Sequence, residues 1–230
     1  MGGNGQYSGT ELELFQSAVN WKNVLRRHIQ AFLAGDVLEV GAGIGGTTRF
    51  LRTGRENSWT CLEPDPILAA MIRATNQPVV VKVGTLQDLD PAQSYDTVIY
   101  IDVLEHIEND KAEVARASEH LKHGGHLVIM CPAHQFLFSP FDEGIGHFRR
   151  YNKNMLGQLR APLLREVSSK YLDSVGFLAS AVNKLWLSQA TPSTRQIAFW
   201  DKVLVRCSRI LDPMLRYSLG KSILVIWQKI

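Results

Sequence analysis

Short apolar runs alternate with amphipathic stretches over the first 131 residues of the chain. The runs at 37–40, 59–62, 79–83, 97–101 and 126–131 are rich in β-branched and other large apolar side chains, which predicts buried strands. Between them, 47–51, 65–75 and 110–121 carry apolar residues at three- and four-residue spacing, which predicts helices. Asp65 followed by Pro66 reads as an N-cap and a first helical position. Lys122-His123-Gly124-Gly125 reads as the basic last turn and glycine cap that close the helix before the fifth run. This alternation predicts an α/β fold, a parallel sheet with helices on both faces. Ahead of it, 11–33 predicts one helix, with Leu14, Phe15, Ala18, Trp21, Leu25, Ile29 and Phe32 on its apolar side. Beyond it, the irregular stretch 132–151 is rich in aromatic and charged residues and has the length of a site-covering loop. A short helix at 154–160, a strand at 166–172, helices at 177–187 and 193–211, and a last strand at 222–228 complete the pattern. In 193–211 the spacing puts Ile197, Trp200, Leu204, Cys207 and Leu211 on one face.

The turn after the first run is crowded with glycine: Glu39-Val40-Gly41-Ala42-Gly43-Ile44-Gly45-Gly46. Strand, glycine turn and helix start together make a nucleotide-binding corner, because glycine lets the backbone turn tightly and approach a ligand. Two cofactor patterns overlap in it. Gly41, Gly43 and Gly46 satisfy the dinucleotide pattern G-x-G-x-x-G, while Glu39, Gly41, Gly43 and Gly45 satisfy the E-x-G-x-G-x-G pattern of S-adenosylmethionine (SAM) sites. Glu39 favours SAM. A carboxylate at the end of the strand repels a pyrophosphate but attracts an ammonium and a sulfonium.

Composition narrows the setting. The chain has 230 residues, 45% of them hydrophobic, the make-up of an ordinary globular protein, and no apolar stretch long enough to span a bilayer. The polar, glycine-rich start is not expected to act as a secretory signal, and Gln6 breaks the myristoylation pattern. Cys61 and Cys131 lie in apolar strand runs and Cys207 stands apart, which predicts free thiols and a cytoplasmic location. The net charge of +3 is uneven, for from Arg160 onward eleven Lys and Arg face four Asp and Glu. Such a basic part is either a solvated face or one turned toward an anionic substrate, a membrane surface or a nucleic acid.

Four blocks in order resemble the class I SAM-dependent methyltransferases. They are the glycine turn; Cys61-Leu62-Glu63-Pro64-Asp65; Tyr95 to Ile107, similar to the signature FD-x-V-x-x-x-x-V-L-E-H; and Leu121 to Ile129, which together span 37–131. The resemblance implies a Rossmann-like sheet of seven mostly parallel strands with an antiparallel last strand. It implies SAM as cofactor and S-adenosylhomocysteine as product. One domain over 1–230 is expected, with an N-terminal lid or helix (1–36), a SAM-binding core (37–131) and a substrate-side part (132–230). By the same resemblance Gly41, Gly43 and Gly45 lie along the methionine part of SAM, Glu39 balances its ammonium, and Glu63 with Pro64 meets the ribose. Thr85 and Leu86 take the adenine turn, although many relatives carry Asp where Thr85 stands. Ile101 and Asp102 lie beside the sulfonium.

Methyl transfer needs an aligned nucleophile and, for some acceptors, a base. His106, after the fourth strand, is one candidate base, with a hydrogen-bonded structural histidine as the alternative. On a helix, Asp102, Glu105 and His106 share one face. That spacing could hold a divalent metal and resembles the metal-dependent ubiquinone O-methyltransferases, but the Glu-His pair is also common in metal-free relatives, and no metal is expected. The segment 141–151 offers His147 as a second base and Arg149, Arg150 and Tyr151 as substrate contacts. A similar G-H-x-R-R-Y segment occurs in a bacterial subgroup of the family. Alternatively, an Asp142–Arg150 ion pair pins this loop. His134 is a further candidate. Tyr7, Phe15, Asn20 and Trp21 form either a lid or a helix packed on the sheet edge, and Phe177, Leu178, Trp186, Leu187 and Trp200 line an acceptor pocket or belong to the core. The leading expectation is methylation of O or N on a small-molecule acceptor of anionic or lipid-like character, with no DNA partner. A protein or RNA acceptor, or a non-catalytic nucleotide-binding module, is the alternative; the N-P-P-Y motif of one nucleic-acid branch is absent after the fourth strand.

Overall fold

A computed structural model describes residues 10–184 and 192–230. Tyr7, Trp186 and Leu187 lie outside the described residues. Seven strands form one sheet: β1 Gly35–Val40, β2 Glu56–Glu63, β3 Val80–Val83, β4 Tyr95–Ile101, β5 Leu121–Pro132, β6 Leu164–Leu172 and β7 Ser222–Lys229. Their order is β3-β2-β1-β4-β5-β7-β6. The first five run parallel, and β7 is antiparallel to both β5 and β6. The predicted α/β architecture with an antiparallel last strand is the one that forms.

Helices cover both faces, and the two-residue strand period sorts the core between them. Leu38, Val98, Leu127 and Ile129 face one side, together with Val114 and Ala117 of α5 (Asp110–Glu119) and Leu156 of α7 (Lys153–Leu159). Val37, Ile99, Val128 and Met130 face the other, against Leu25 and Ile29 of α2 (Val19–Ile29). Ile72 of α4 (Pro66–Ala74) joins them. Asp65 caps α4 as the sequence implies, accepting from the amides of Ile67 and Leu68.

Three local expectations are corrected. First, the helix expected over 11–33 is broken into α1 (Thr10–Gln16) and α2. The break lets α2 start on a carboxylate remote in sequence, for Asp201 accepts from the amides of Asn20 at 3.2 Å and Trp21 at 2.8 Å and from the Asn20 side chain at 2.9 Å. The sequence pattern shows only the apolar side of a helix, and a cap 180 residues away leaves no mark on it.

Second, Lys122-His123-Gly124-Gly125 does not close a helix. It is the beginning of β5, held there by Lys122, whose ammonium lies 2.8 Å from both Asp36 and Asp96. The end of α5 is met instead by Lys229 of β7, which donates to the carbonyls of Ser118 and Leu121 at 2.7 Å.

Third, the stretch 193–211 is not one regular helix. α9 (Thr194–Phe199) passes through a π-helical segment, Trp200–Leu204, into α10 (Val205–Met214). A π turn takes up one residue more than an α turn. Beyond it the inward face therefore moves from the expected Cys207 and Leu211, which are turned out, to Val205, Ser208 and Asp212, while Trp200 and Leu204 stay half-buried beside Asp201.

Asp201 is 3% exposed and gathers three donors, so its loss leaves them unpaired inside the protein. Asp201→Ala is expected to lower stability by about 2–3 kcal/mol. Urea unfolding should show a lower midpoint at an unchanged slope.

Candidate active site

The strand order reverses between β1 and β4, and a cavity of about 1490 Å3 opens there, at the carboxyl ends of β1, β2 and β4. Gly41, Gly43 and Gly45 all take positive φ, at 66°, 57° and 71°, which only glycine adopts freely. A Cβ at Gly41 would come within 2.7 Å of Val103. The turn is tied to β2 by Glu63, which accepts from the Gly43 amide at 2.7 Å with one carboxyl oxygen and from the Asp65 amide at 3.0 Å with the other. Burial raises the Glu63 carboxyl, against the pull of those two amides.

Glu39, at the end of β1, lines the cavity. Its Oε2 accepts from the Thr48 hydroxyl and the Trp59 indole, both at 2.8 Å. Burial outweighs these bonds and pushes the carboxyl up to about 7. Gly41, Gly43, Pro64, Ile101 and Asp102 line the same cavity. Gly45 stands just behind, packed on Ile72. The structure does not bring Thr85 and Leu86 to the cavity. Leu86 is 1% exposed in the core, and the Thr85 hydroxyl is bonded to Asp88 at 2.9 Å. Pro64, Asp65 and Leu68 bound that end of the cavity.

Past β4 the chain enters a left-handed residue, Asp102, and a 3-10 turn over Leu104–His106. Asp102, Glu105 and His106 therefore do not share a helical face. What the fold brings together is Glu105, His106 and His147, with candidate ligand atoms within 4.8 Å of one another. A cation fits that donor set in kind: one carboxylate and two imidazoles. The rings of His106 and His147 meet edge to face at 4.5 Å. Burial, then His147, lowers the His106 imidazole to about 4, so it is neutral at physiological pH. Glu105 is 0% exposed, and neither carboxyl oxygen has a partner at full hydrogen-bond geometry among the described residues. Burial, reinforced by Asp102, drives its carboxyl well above the ordinary range, and the nearby Cys131 thiol offsets this only weakly. Asp102 is exposed at the cavity, and the protein packed around it raises its carboxyl to about 6, opposed by His147, Lys221 and Arg150.

Most of the segment 141–151 proves to be an anchor. Asp142 accepts from Arg150 Nε at 3.0 Å and Nη2 at 2.9 Å, and His147 Nδ1 lies 2.9 Å from the same carboxylate. Ser139 donates to it through amide and hydroxyl, starting α6 (Pro140–Gly144). Arg149 pairs with Asp110, and the Tyr151 hydroxyl donates to that same carboxylate at 2.9 Å. Arg149 and Tyr151 therefore stay out of the cavity, while His147 and Arg150 line it. Arg150 keeps one buried nitrogen, Nη1, without a partner among the described residues. His134 is stacked on Tyr171 at 4.8 Å, beside Phe177, and is not part of the lining.

Sequence reasoning missed Lys221, the residue before β7. It lines the cavity 5.2 Å from the Trp200 ring, and burial lowers its ammonium, against the attraction of Asp173. A lone lysine ahead of a strand carries no motif, so nothing in the chain pointed to it. The remaining walls are mostly apolar, with Leu137, Phe138, Phe141, Leu178 of α8 (Ser174–Val182), Ile197 and Trp200, but Lys22, Lys184 and Arg195 also border them. From the N-terminal part Phe15 and Trp21 close over this side, packed on Trp200 at 6.0 Å and 5.8 Å. Asn20 serves the Asp201 cap instead.

A family model described as a methyltransferase domain matches residues 16–177. A demethylmenaquinone methyltransferase of Tropheryma whipplei (strain Twist) is 28% identical over 157 residues, 66% of this chain. The matched region spans 63% of the length of that relative. A SAM-dependent methyltransferase from Archaeoglobus fulgidus shares the fold at a TM-score of 0.62 and 16% identity, covering 96% of this chain and 100% of that one. The N-methyltransferase NodS from Bradyrhizobium japonicum WM9, in complex with S-adenosylhomocysteine, does so at 0.56 and 13%, covering 98% and 89%.

Asp142 provides a test of the anchor. Burial alone would raise it, but His147 and Arg150 outweigh burial and hold the carboxyl well below its usual range. A carboxylate depressed in the folded state adds stability above its unfolded pKa, and that stability drains as pH falls below about 4. Asp142→Asn is expected to cost about 3 kcal/mol at pH 7. The gap to the wild type in urea unfolding should narrow as pH is lowered toward 3.

Proposed function

The chain belongs to the methyltransferase-domain family, and from that premise we propose that it is a SAM-dependent methyltransferase whose acceptor is a bulky, largely apolar small molecule carrying one ionisable oxygen or nitrogen. The observation that carries this reading is the shape of the cavity. Its volume of about 1490 Å3 exceeds the roughly 300–1,000 Å3 of a pocket for one drug-sized ligand. Titratable groups gather around Asp102, and its far walls are mostly hydrocarbon and aromatic, with Lys184 and Arg195 among them. The relative from Tropheryma whipplei, by name a demethylmenaquinone methyltransferase, is consistent with an acceptor of this kind.

The residues present fit SAM. The glycine turn leaves backbone, not side chain, against the cavity, and two carboxylates from adjacent parallel strands border it. When bound, SAM supplies an electrophilic methyl group on a sulfonium. We assign Glu39 to its ammonium and Glu63, whose carboxyl oxygens each keep a free lone pair beside their amide, to the ribose hydroxyls. His147 is the proposed base. Asp142 fixes its Nδ1 as the protonated nitrogen, which leaves Nε2 to accept a proton from the acceptor. Phe15, Trp21 and Trp200 keep water from the reacting atoms, and Lys221 and Arg150 steady negative charge that develops on the acceptor.

Two measurements test this reading. With methyl-labelled SAM and fractionated cell extract, the label is expected in the organic-extractable small-molecule pool; label in protein or RNA overturns the acceptor class. The second concerns Glu39, which stands near 7 in the ligand-free protein. Pairing with an ammonium requires its ionised form, so a proton must leave on binding below that pH. S-adenosylhomocysteine affinity should be flat above pH 7.5 and fall by up to about tenfold per unit below about pH 6.5. Glu39→Gln should weaken binding and remove that dependence.

A further inference from the structure

We propose that the outer face of α9 and α10 docks on an anionic lipid bilayer. Apolar side chains point outward before, within and after the π-helical turn: Phe199 is 57% exposed, Val203 42%, Ile210 69% and Met214 73%. Arg195 of α9, Lys202 of the π turn and Arg206 and Arg209 of α10 are exposed beside them. None of these four cations forms an ion pair among the described residues.

The acids of this part of the chain have been withdrawn from the surface. After Glu166 the sequence holds only Asp173, Asp201 and Asp212, which are 1%, 3% and 3% exposed. Each is consumed by internal donors: Asp173 by Ser208, the Gly176 amide and the Trp200 indole, Asp201 by the start of α2, and Asp212 by the amides of Asp173 and Ser174. The exposed surface here is thus cationic and hydrocarbon together.

That combination selects the occupant. Large aliphatic side chains standing in water gain by entering an apolar phase, and the cations beside them gain from an anionic boundary. A lipid bilayer with acidic headgroups supplies both at one depth. A second copy of this chain would set cation against cation, and a nucleic acid offers Ile210 and Met214 nothing apolar to bury in. Phe199 also lines the cavity, so the stripe runs up to the mouth of the site. Passage of an apolar acceptor from the bilayer past Phe199 rests on the acceptor class proposed above. Docking itself does not, and it is measured without turnover, so the failure of one is distinguishable from the failure of the other.

The test is co-sedimentation of the full chain with vesicles of phosphatidylcholine alone and of phosphatidylcholine with phosphatidylglycerol. Binding to the anionic vesicles is expected to be at least tenfold tighter and to weaken as salt rises. The paired change Ile210→Asp with Met214→Asp should reduce that binding at least tenfold. Arg206→Glu should reduce it by roughly fivefold or more per charge removed. Unchanged melting and S-adenosylhomocysteine affinity would show that both variants fold. Equal partition onto the two vesicle types overturns the proposal, as does a variant that binds like the wild type. A dimer in sedimentation velocity that Ile210→Asp dissolves also overturns it, by making the stripe a subunit interface. So does an RNA oligonucleotide that binds more tightly than the anionic vesicles and displaces them.

Discussion

The site depends on one constraint, the parting of the chain on either side of β1 and β4. These two strands are parallel neighbours, yet β1 leads toward β2 on one side and β4 toward β5 on the other. Their carboxyl ends therefore cannot be covered by a direct connection, and a crevice is left whose walls must come from turns. The glycine turn supplies one wall and the turn carrying Asp102, Glu105 and His106 the other. Because both start from hydrogen-bonded strand ends, the groups they carry are placed by the sheet rather than by mobile loop. The bond from the Gly43 amide to Glu63 extends this order one strand further.

Buried carboxylates do for the second half of the chain what the sheet does for the first. Asp142 draws together Ser139, His147 and Arg150, and Asp110 draws together Arg149 and Tyr151. Asp173, Asp201 and Asp212 fasten α8, α2 and the last helices to one another. An ionised carboxyl inside a protein is costly unless fully met, and here each gathers at least two donors. The result is a rigid outer wall around a cavity that is itself mostly apolar. Among the described residues, the carboxyl oxygens of Glu105 and the Nη1 nitrogen of Arg150 are buried without a hydrogen-bond partner, and both residues border the cavity.

The first five strands, the glycine turn and the carboxylates at its edge were legible because each is a local pattern: period two, a forced turn, a residue at a strand end. What failed to show was set from a distance. The break before α2 answers Asp201, the end of α5 answers Lys229, and Lys221 reaches the cavity only because β7 inserts between β5 and β6. The split of 141–151 into anchoring and cavity-facing side chains was equally hidden. Arg149 and Arg150 are adjacent and alike, and only the positions of Asp110 and Asp142 separate their fates. Thr85 and Leu86, expected at the adenine by residue-by-residue transfer, sit on a turn whose hydroxyl and side chain are already engaged within the protein.

The single extra residue held between Trp200 and Leu204 works as a phase shifter. Before it, Ile197 faces the interior as the periodicity implies; after it the predicted face is offset by about a quarter-turn, so Cys207 and Leu211 stand at the surface beside the outward stripe. A plain α turn made from the same residues would bring Leu211 inward and swing the carboxylate of Asp212 away from the backbone amides at the head of α8. A fold can thus keep a hydrocarbon surface in water without altering composition, by miscounting once.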